Sequence, residues 1–529
     1  MKKFNITGPC VPGEHYAVDI SGKISQIMKL IDERCYFTVN RARQYGKTTT
    51  LFLLEQELLS PQYRNKYLVA SITFQRLSNK HFSSEEVFCS TFIRQVARAL
   101  KFTYGNQDYI EQWEKHDVSD FEMLGEHIYD LCSGRQIVLI IDEVDRTSNN
   151  QIFLQFLSTL RDNFIERSKG KYNTFHSVIL AGVYDIKNIK LMMIRKGWYT
   201  PAETETDVNN SPWNIAVNFT VDMSFNPAEI TTMLEAYEAD HDTGMDITAV
   251  AEEIYKYTSG YPFLVSRICQ CIDESLDKDW TVNGVRKAVR ILLDEKNTLF
   301  DDVFKNLENN KELNKFIYEL LILGAFKPYV NYDPVVSTGD RYGFFKKQIN
   351  GSDRVAISNK IFELLMTDYY IAKDLRDKKQ ITGVLHTDVI KDGKFDMELC
   401  LRKFAEHYSE LYNQKDLEFI ERECRLLFLS YLKPLINGQG FYHIESEFTD
   451  LRRMDIVIDF GHDQFIIELK LWLGEQYERE AYEQLLGYMD SKKALTGYLL
   501  IFDFRKESNR HTKTKWIEIN GKRIFEVIA

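Results

Sequence analysis

The sequence predicts an α/β protein with several domains. Its 529 residues exceed what one hydrophobic core usually holds, and a content of 44% hydrophobic and 27% charged residues is typical of a soluble globular protein. Short apolar runs that end in charged residues, or carry them, occur in both halves of the chain and indicate buried strands. Stretches with helical periodicity lie between these runs, so we expect strands to alternate with helices.

A phosphate-binding loop is predicted after the first apolar strand. Gly46, Lys47, Thr48 and Thr49 open a helical segment, and the N–H groups and dipole at a helix N-terminus bind phosphate. The lysine would reach the β- and γ-phosphates of a nucleotide, and the Thr48 hydroxyl would bind Mg²⁺. The first glycine of the standard pattern falls at Arg41, so this loop is weak evidence by itself.

A second apolar strand, 137–142, ends in two acids. Asp142 would hold Mg²⁺ through water and Glu143 would polarise the hydrolytic water. The alternative is an ordinary core strand with a polar end, and the order of the two motifs argues against it. We therefore expect a site that binds and hydrolyses ATP with Mg²⁺.

Two apolar strands near the C-terminus carry a second candidate site. Asp455 lies on the first, and Glu468 and Lys470 lie on the next. Residues two apart on a strand point to one face, so the glutamate and the lysine would share a pocket with the aspartate. Two carboxylates suit Mg²⁺ or Mn²⁺, and the lysine would help to deprotonate a water that attacks a phosphodiester. The alternative is a β-hairpin whose charged residues face water.

This C-terminal segment resembles the core of a PD-(D/E)XK nuclease, and Gln484-x-x-x-Tyr488 resembles the helix motif of its RecB-type exonuclease branch. The resemblance implies that the two strand carboxylates are metal ligands and that the lysine activates water. Met454 stands where the family has its proline, which does no chemistry. The family's first-helix glutamate corresponds to Glu421 or Glu423; the spacing leaves both open, and we favour Glu423.

Residues 10–375 resemble the AAA-like ATPases of the STAND and archaeal-ATPase group. That group tolerates Arg41 in place of glycine, and Gly260-x-Pro262 resembles the Gly-x-Pro element of its helical lid. Residues 16–19 occupy the place where such proteins often contact adenine. Because these ATPases often complete their sites in trans, a homo-oligomer is an open alternative.

The bulk properties limit the partners. The net charge of −11 does not indicate a nucleic-acid binder, so any binding surface must be local. Residues 505–523 contain seven Lys or Arg residues, and both a solvated face and a phosphate-binding surface stay open for them. No apolar run approaches the roughly 20 residues of a membrane span, so no membrane partner is expected. The eight cysteines lack a Cys-x-x-Cys pair, which fits a reducing cytoplasm.

The predicted domains follow from these motifs. The segment between the predicted lid and the predicted linker resembles a winged-helix module. Such a module either binds DNA or packs against the ATPase, and we favour packing. The domains are an AAA-like P-loop ATPase core (1–225), a helical lid (226–305), a winged-helix-like module (306–373), a linker (374–398) and a PD-(D/E)XK nuclease (399–529).

The leading hypothesis is a nuclease that needs a metal ion and cleaves nucleic acid, with DNA as the expected substrate, under the control of ATP. Proteins that resemble this fusion suggest a role in defence or mobile-element biology. The alternative is an ATP-switched DNA-binding or scaffold protein whose nuclease fold is not catalytic.

Overall fold

The computed structural model describes residues 2–115, 118–144, 151–183, 213–322, 325–349, 353–378, 387–411, 417–436, 440–445, 455–461, 463–472, 475–503 and 513–529. The chain forms two compact units, one of Met1–Phe300 with Arg341–Gly343 and one of Asp301–Asp340 with Phe344–Ala529. The alternation of strands and helices confirms the α/β class. Among the described residues, no helix is both long and apolar enough to cross a lipid bilayer.

The first unit is built on a parallel sheet. Its strands are β1 (Tyr36–Asn40), β2 (Leu68–Thr73), β3 (Ile137–Asp142) and β4 (Ser177–Gly182). They are ordered β1-β4-β3-β2 and all pairs are parallel. Parallel strands are usually covered on both faces, which explains why β3 and β4 are apolar and almost entirely buried. The carboxyl ends of β1 and β3 lie at the same edge of this sheet.

Helices cover both faces of this sheet. On one face Ile27 and Leu54 pack against Phe37 and Ile140, and on the other face an aromatic-rich core forms around Phe88. The helices are α1 (Ser21–Asp32), α2 (Lys47–Leu58), α3 (Glu85–Tyr104), α4 (Asp108–Lys115), α5 (Phe121–Cys132) and α6 (Gln151–Ser168).

Four further helices follow the sheet. They are α7 (Pro227–His241), α8 (Ile247–Thr258), α9 (Pro262–Ser275) and α10 (Val282–Leu293). The sequence predicts Asn226 as the N-cap of α7, and this is confirmed. Its Oδ1 accepts a 2.9 Å hydrogen bond from the Glu229 backbone N–H, and Glu229 Oε2 accepts one from the Asn226 N–H. This reciprocal capping box satisfies two N–H groups that the helix cannot pair itself.

Helices and a hairpin come next in the chain. They are α11 (Thr298–Asn309), α12 (Lys311–Leu321), α13 (Pro334–Arg341), β5 (Phe345–Ile349), β6 (Asp353–Ile357) and α14 (Lys360–Lys378). The strands β5 and β6 pair antiparallel. The Tyr370 hydroxyl joins α14 to α12 by donating a 2.9 Å hydrogen bond to the Asn314 carbonyl. The winged-helix interpretation and the predicted linker stay predictions.

A six-stranded mixed sheet forms the C-terminal part of the second unit. A two-stranded hairpin, β7 (Ile390–Lys391) and β8 (Lys394–Phe395), precedes it. The elements that follow are α15 (Met397–Leu411), α16 (Leu417–Ile436), β9 (Gly440–Glu445), β10 (Asp455–Phe460), β11 (Asp463–Leu471), α17 (Glu475–Ser491), β12 (Thr496–Phe502), β13 (Lys513–Ile519) and β14 (Lys522–Ile528). The strand order in the six-stranded sheet is β13-β14-β12-β11-β10-β9; β11, β12 and β14 run parallel, and the other pairs are antiparallel.

Residues that are paired with each other across neighbouring strands form one continuous row over all six strands of this sheet, which we call the register row. Residues that face each other across paired strands lie on the same face, so the row places four acid positions and one lysine on one face. The helix α17 covers that face, since its Leu485 and Met489 share a core with Val457 and Ile466. In strand order from β9 the row is Glu445, Asp455, Glu468, Leu499, Glu526 and Lys515.

Candidate functional site

A buried carboxylate and a lysine lie together on the central strand β11. Glu468 is 1% exposed, and its Oε1 lies 3.0 Å from the Nζ of Lys470, whose side chain is 15% exposed. A buried carboxylate costs several kcal/mol unless it is paired, and the lysine provides a pair. The structure therefore brings together two of the residues that the sequence predicts for the C-terminal site.

The backbone of the third predicted residue lies beside this pair. Asp455 stands directly opposite Glu468 in the antiparallel register of β10 and β11. The side chains of Asp455, Glu421 and Glu423 are outside the described part of the structure, so their roles stay predictions. Among the side chains that are described, no three or more His, Cys, Asp or Glu residues are grouped to hold a metal ion. Mg²⁺ is often held by one or two carboxylates with waters and substrate phosphates, so the carboxylate at 468 and the acid position opposite it suit this ion.

The predicted helix motif lies on α17, on the same sheet face. Tyr488 is 5% exposed and belongs to the core between helix and sheet. Gln484 lies one turn earlier, and its Oε1 is buried without a hydrogen-bond partner among the described residues. Because an unsatisfied buried acceptor costs about 1–3 kcal/mol, this amide is suited to accept a hydrogen bond from a ligand or an ordered water.

The basic segment is partly described. Its residues 505–512 lie outside the described part of the chain. In the rest, Lys515 pairs with Glu478 at 3.1 Å and Lys522 pairs with Asp490 at 2.5 Å. The guanidinium of Arg523 lies over the Trp516 ring, 4.3 Å from its centroid. These three cations therefore already have partners within the protein.

The predicted phosphate loop joins β1 to α2. Gly46 is the N-cap of α2 and has φ 78°, a left-handed conformation that glycine adopts without steric cost. Lys47 is 8% exposed, and its Nζ donates 2.9 Å hydrogen bonds to the carbonyl oxygens of Arg41 and Ala42. The lysine thus lies folded inside the loop, where its donors face the concave side that a phosphate would occupy.

The two predicted Mg²⁺-binding residues of this loop region meet. The Thr48 hydroxyl donates a 2.9 Å hydrogen bond to Oδ2 of Asp142, at the carboxyl end of β3. Oδ1 of the same carboxylate accepts a 2.8 Å hydrogen bond from the Glu143 backbone N–H. Glu143 has φ 57°, a conformation that is strained for a residue with a Cβ and that occurs often at active sites. A hydroxyl and a carboxylate in contact are the donor set with which P-loop proteins hold Mg²⁺.

The N-terminal segment lies against the same helix. Thr49 Oγ1 accepts a 3.0 Å hydrogen bond from the Cys10 backbone N–H. Tyr16 is 2% exposed, and its hydroxyl donates a 3.0 Å hydrogen bond to Oδ2 of Asp240 on α7. Burial and this carboxylate raise the pKa of Tyr16 to about 12. The segment therefore connects α2 with the helices that follow the sheet.

Comparison with known families decides the identity of this half. A family model described as an AAA-like domain matches residues 22–316. The chain belongs to the AAA-like domain family. The predicted P-loop ATPase part is confirmed by this match, whereas the predicted nuclease part is not tested by it.

Other proteins match in part. An uncharacterized WD repeat-containing protein of Synechocystis sp. is 23% identical over 285 residues, which cover 50% of this chain and 22% of that protein. The chain thus spans about a fifth of the length of this curated relative. A Walker-type ATPase of Pyrococcus abyssi is 10% identical, with a TM-score of 0.45 over 69% of this chain and 99% of that chain. The ORC2 protein of Aeropyrum pernix in its ADPNP and ADP complexes is 12% identical, with a TM-score of 0.35 over 66% of this chain and 94% of that chain.

The AAA-like domain accommodates its unusual Arg41 by turning the side chain out of the loop. One guanidinium nitrogen donates a 2.9 Å hydrogen bond to the Val221 carbonyl, and the other donates one to the Asn40 carbonyl. The guanidinium also lies 5.5 Å from the centroid of the Phe219 ring. Burial lowers the pKa of Arg41. The Arg41 side chain is therefore held by groups that follow the sheet or end β1 rather than by the loop itself.

The Gly-x-Pro element of the AAA-like domain touches the phosphate loop directly. The Tyr261 hydroxyl donates a 2.5 Å hydrogen bond to the Arg43 carbonyl, and its ring packs edge-on against Tyr45 with centroids 4.6 Å apart. A Cβ at Gly46 would lie 3.5 Å from Cγ of Pro262. The tyrosine at the variable position of the element was not predicted to contact the loop, and no local signal indicates this contact.

Sequence reasoning also missed a polar cluster beside the C-terminal site. Glu526 on β14 is 1% exposed, accepts a hydrogen bond from the Tyr482 hydroxyl, and lies 3.0 Å from the Lys515 Nζ. The available signal is a single glutamate inside the apolar strand 524–528, because a charge in a buried strand needs partners.

Proposed function

We propose that this protein is a metal-dependent phosphodiesterase that cleaves DNA under the control of ATP bound to its AAA-like domain. The observation that carries the proposal is the buried Glu468, paired with Lys470 at 3.0 Å and standing opposite Asp455 in the sheet. A buried carboxylate beside a second acid position would be costly as a purely structural feature. The same arrangement is expected where a divalent cation offsets the negative charge of the two acids.

The proposed chemistry at this site is hydrolysis of a phosphodiester. Asp455 and Glu468 would hold Mg²⁺ or Mn²⁺, which supplies a Lewis acid and lowers the pKa of bound water. Lys470 would orient the attacking water. That water would give up one proton as its oxygen bonds to phosphorus, the bond to one ester oxygen would break, and that ester oxygen would take up a proton. Gln484 would accept a hydrogen bond at the edge of the site through its buried Oε1. Tyr488 and Glu423, with Glu421 as its alternative, complete the residue set that the family resemblance assigns.

The proposed role of the AAA-like domain is to bind and hydrolyse ATP with Mg²⁺. Lys47 would exchange its two carbonyl partners for the β- and γ-phosphates, since the same Nζ donors serve both. Thr48 and Asp142, already in contact, would hold Mg²⁺. Glu143 would orient the water that attacks the γ-phosphate.

Control by ATP is supported by the contact between the lid element and the loop. Tyr261 and Pro262 touch the backbone that would enclose the phosphates. A nucleotide that favours one arrangement of the loop over another will therefore bias the lid helices, because a ligand shifts an equilibrium by its differential affinity for the two states.

Cleavage of closed circular DNA tests this proposal. The purified chain is incubated with circular single-stranded and double-stranded DNA, with Mg²⁺, Mn²⁺ or EDTA, and with or without ATP. The proposal predicts cleavage that requires the metal and changes in rate with ATP. Measurable ATP turnover without cleavage under any of these conditions would contradict it, and would favour an ATP-switched DNA-binding protein.

A further inference from the structure

A second buried carboxylate lies on the same sheet face as Glu468. Glu526 is 1% exposed, and in the register row it lies two strands from Glu468, with Leu499 between them. Two strand spacings amount to about 9.5 Å between the two backbones, and the oxygens of Glu526 have partners of their own in Tyr482 and Lys515. The buried charge of Glu526 therefore serves a separate purpose.

Glu526 connects α17 with the strand β13. Its Oε2 accepts a hydrogen bond from the Tyr482 hydroxyl, which also lies 3.2 Å from Oε1 of Glu478. The Lys515 Nζ lies 3.0 Å from Oε1 of Glu526 and 3.1 Å from Oε1 of Glu478. We call Glu478, Tyr482, Lys515 and Glu526 the anchor cluster. Two of its members lie on the helix and two lie on the sheet.

Tyr482 of the anchor cluster and Gln484 of the predicted helix motif lie on opposite flanks of α17. A helix turns by about 100° per residue, so Tyr482 and Gln484 are separated by about 200° around its axis. The apolar stripe that faces the sheet, which includes Ala481 and Leu485, runs between them. Because the flank of Tyr482 reaches β14, the flank of Gln484 is directed towards β11, which carries Glu468.

We propose that the anchor cluster fixes the rotation of α17 about its axis, and that Tyr482 and Glu526 are thereby positioning residues for Gln484 at the cleavage site. This inference rests on the proposed nuclease function. Apolar contacts alone are non-directional, whereas a hydrogen bond constrains the direction of approach. The cluster thus supplies the constraint that the apolar stripe lacks.

A small rotation of α17 is enough to produce a large effect on the rate. A rotation of about 10° moves an atom about 6 Å from the helix axis by about 1 Å. A displacement of about 1 Å near reacting groups can lower a rate by about 100-fold. Loss of one hydroxyl at Tyr482 therefore has consequences on the other side of the helix.

Steady-state cleavage of circular DNA by the full-length chain tests the inference. Tyr482→Phe keeps the ring and removes the donor, and we expect kcat to fall by about 10-fold or more while KM stays within about twofold. Glu526→Gln keeps an acceptor, so it should retain most of the activity that Glu526→Ala loses. If Tyr482 acts through Gln484, the double variant Tyr482→Phe/Gln484→Ala should be no slower than Gln484→Ala, since coupled residues are not additive.

Tyr498→Phe is the matched control. Its ring packs against Phe465 and Phe525, away from α17, and its loss of a hydroxyl should leave kcat unchanged. A wild-type kcat in Tyr482→Phe would overturn the inference while leaving the nuclease in place, as would additive losses in the double variant. Absence of metal-dependent cleavage by the wild type would overturn the proposed function and this inference with it.

Discussion

Thr48 and Asp142 are joined by a 2.9 Å hydrogen bond across the phosphate loop and the end of β3, although 94 residues separate them in the chain. The contact follows from the parallel sheet, which brings the carboxyl ends of β1 and β3 to one edge. The contact also limits the chemistry that the two side chains can perform. The hydroxyl and the carboxylate are held where a Mg²⁺ ion would need both.

Lys47→Ala should weaken ATP binding by about 10-fold or more, because its Nζ would pair with the β- and γ-phosphates. Fluorescence anisotropy with a labelled ATP analogue measures the Kd. Lys29→Ala, an exposed lysine on α1, is the control and should bind ATP as the wild type does. Equal affinities for both variants would contradict the assignment of the loop.

Tyr261→Phe should weaken ATP binding by about fivefold, since it removes one hydrogen bond worth about 1 kcal/mol from the loop backbone. The same anisotropy measurement applies. Tyr255→Phe on the neighbouring helix α8 is the control, because this ring is 38% exposed. If the two substitutions had equal effects, the contact between Tyr261 and Arg43 would have no role in nucleotide binding.

Gly260→Ala should destabilise the first unit. A Cβ at Gly260 would lie 1.8 Å from the Phe225 carbonyl oxygen, and that backbone is held by the hydrogen bond from Phe225 N–H to Gly260 O. Gly244 has nearly the same φ, 72° against 73°, but in the described part of the chain no atom beyond its immediate neighbours lies within 4 Å of its Cβ position. Gly244→Ala therefore carries only the backbone strain, and Gly260→Ala should cost about 1–3 kcal/mol more. Denaturant unfolding of both variants measures the difference, and equal stabilities would refute the predicted clash.

His176 should make the stability of the first unit depend on pH. Burial lowers the pKa of His176 to about 4, although its Nε2 lies 2.9 Å from the Ile31 carbonyl oxygen. Since an unfolded histidine titrates near about 6.5, the unfolded chain binds the extra proton between these values. The contribution of His176 to the free energy of unfolding is thus constant above about pH 6.5 and falls, by about 1–3 kcal/mol, as the pH drops towards 4. His176→Gln should reduce this loss in urea unfolding measured at several pH values; an unchanged pH dependence would show that another group causes it.

Local chemistry determined how much of the first unit could be predicted. The capping of α7 by Asn226 and the strand that ends in Asp142 follow from a few neighbouring residues, and the structure has both. The contact of Tyr261 with Arg43 spans 218 residues, so it depends on how the helices that follow the sheet fold back onto the loop. No pattern within a short window of sequence contains that information.

The C-terminal site also combines a contact that the local sequence predicts with contacts that it does not predict. The pairing of Glu468 with Lys470 follows from the two-residue period of a strand. The anchor cluster joins residues of α17 to Glu526 and Lys515, and its register depends on a sheet order that the sequence does not reveal. A buried glutamate in an apolar strand was the available sign, but it did not identify its partners.

The most direct test of the central claim is single-turnover cleavage of circular DNA by Lys470→Ala with saturating Mg²⁺. We predict that the variant loses cleavage while its ATP affinity equals that of the wild type, and that Lys493→Ala, an exposed lysine after α17, cleaves normally. Cleavage by Lys470→Ala at the wild-type rate would contradict the assignment of the Glu468–Lys470 pair as the site of phosphodiester hydrolysis.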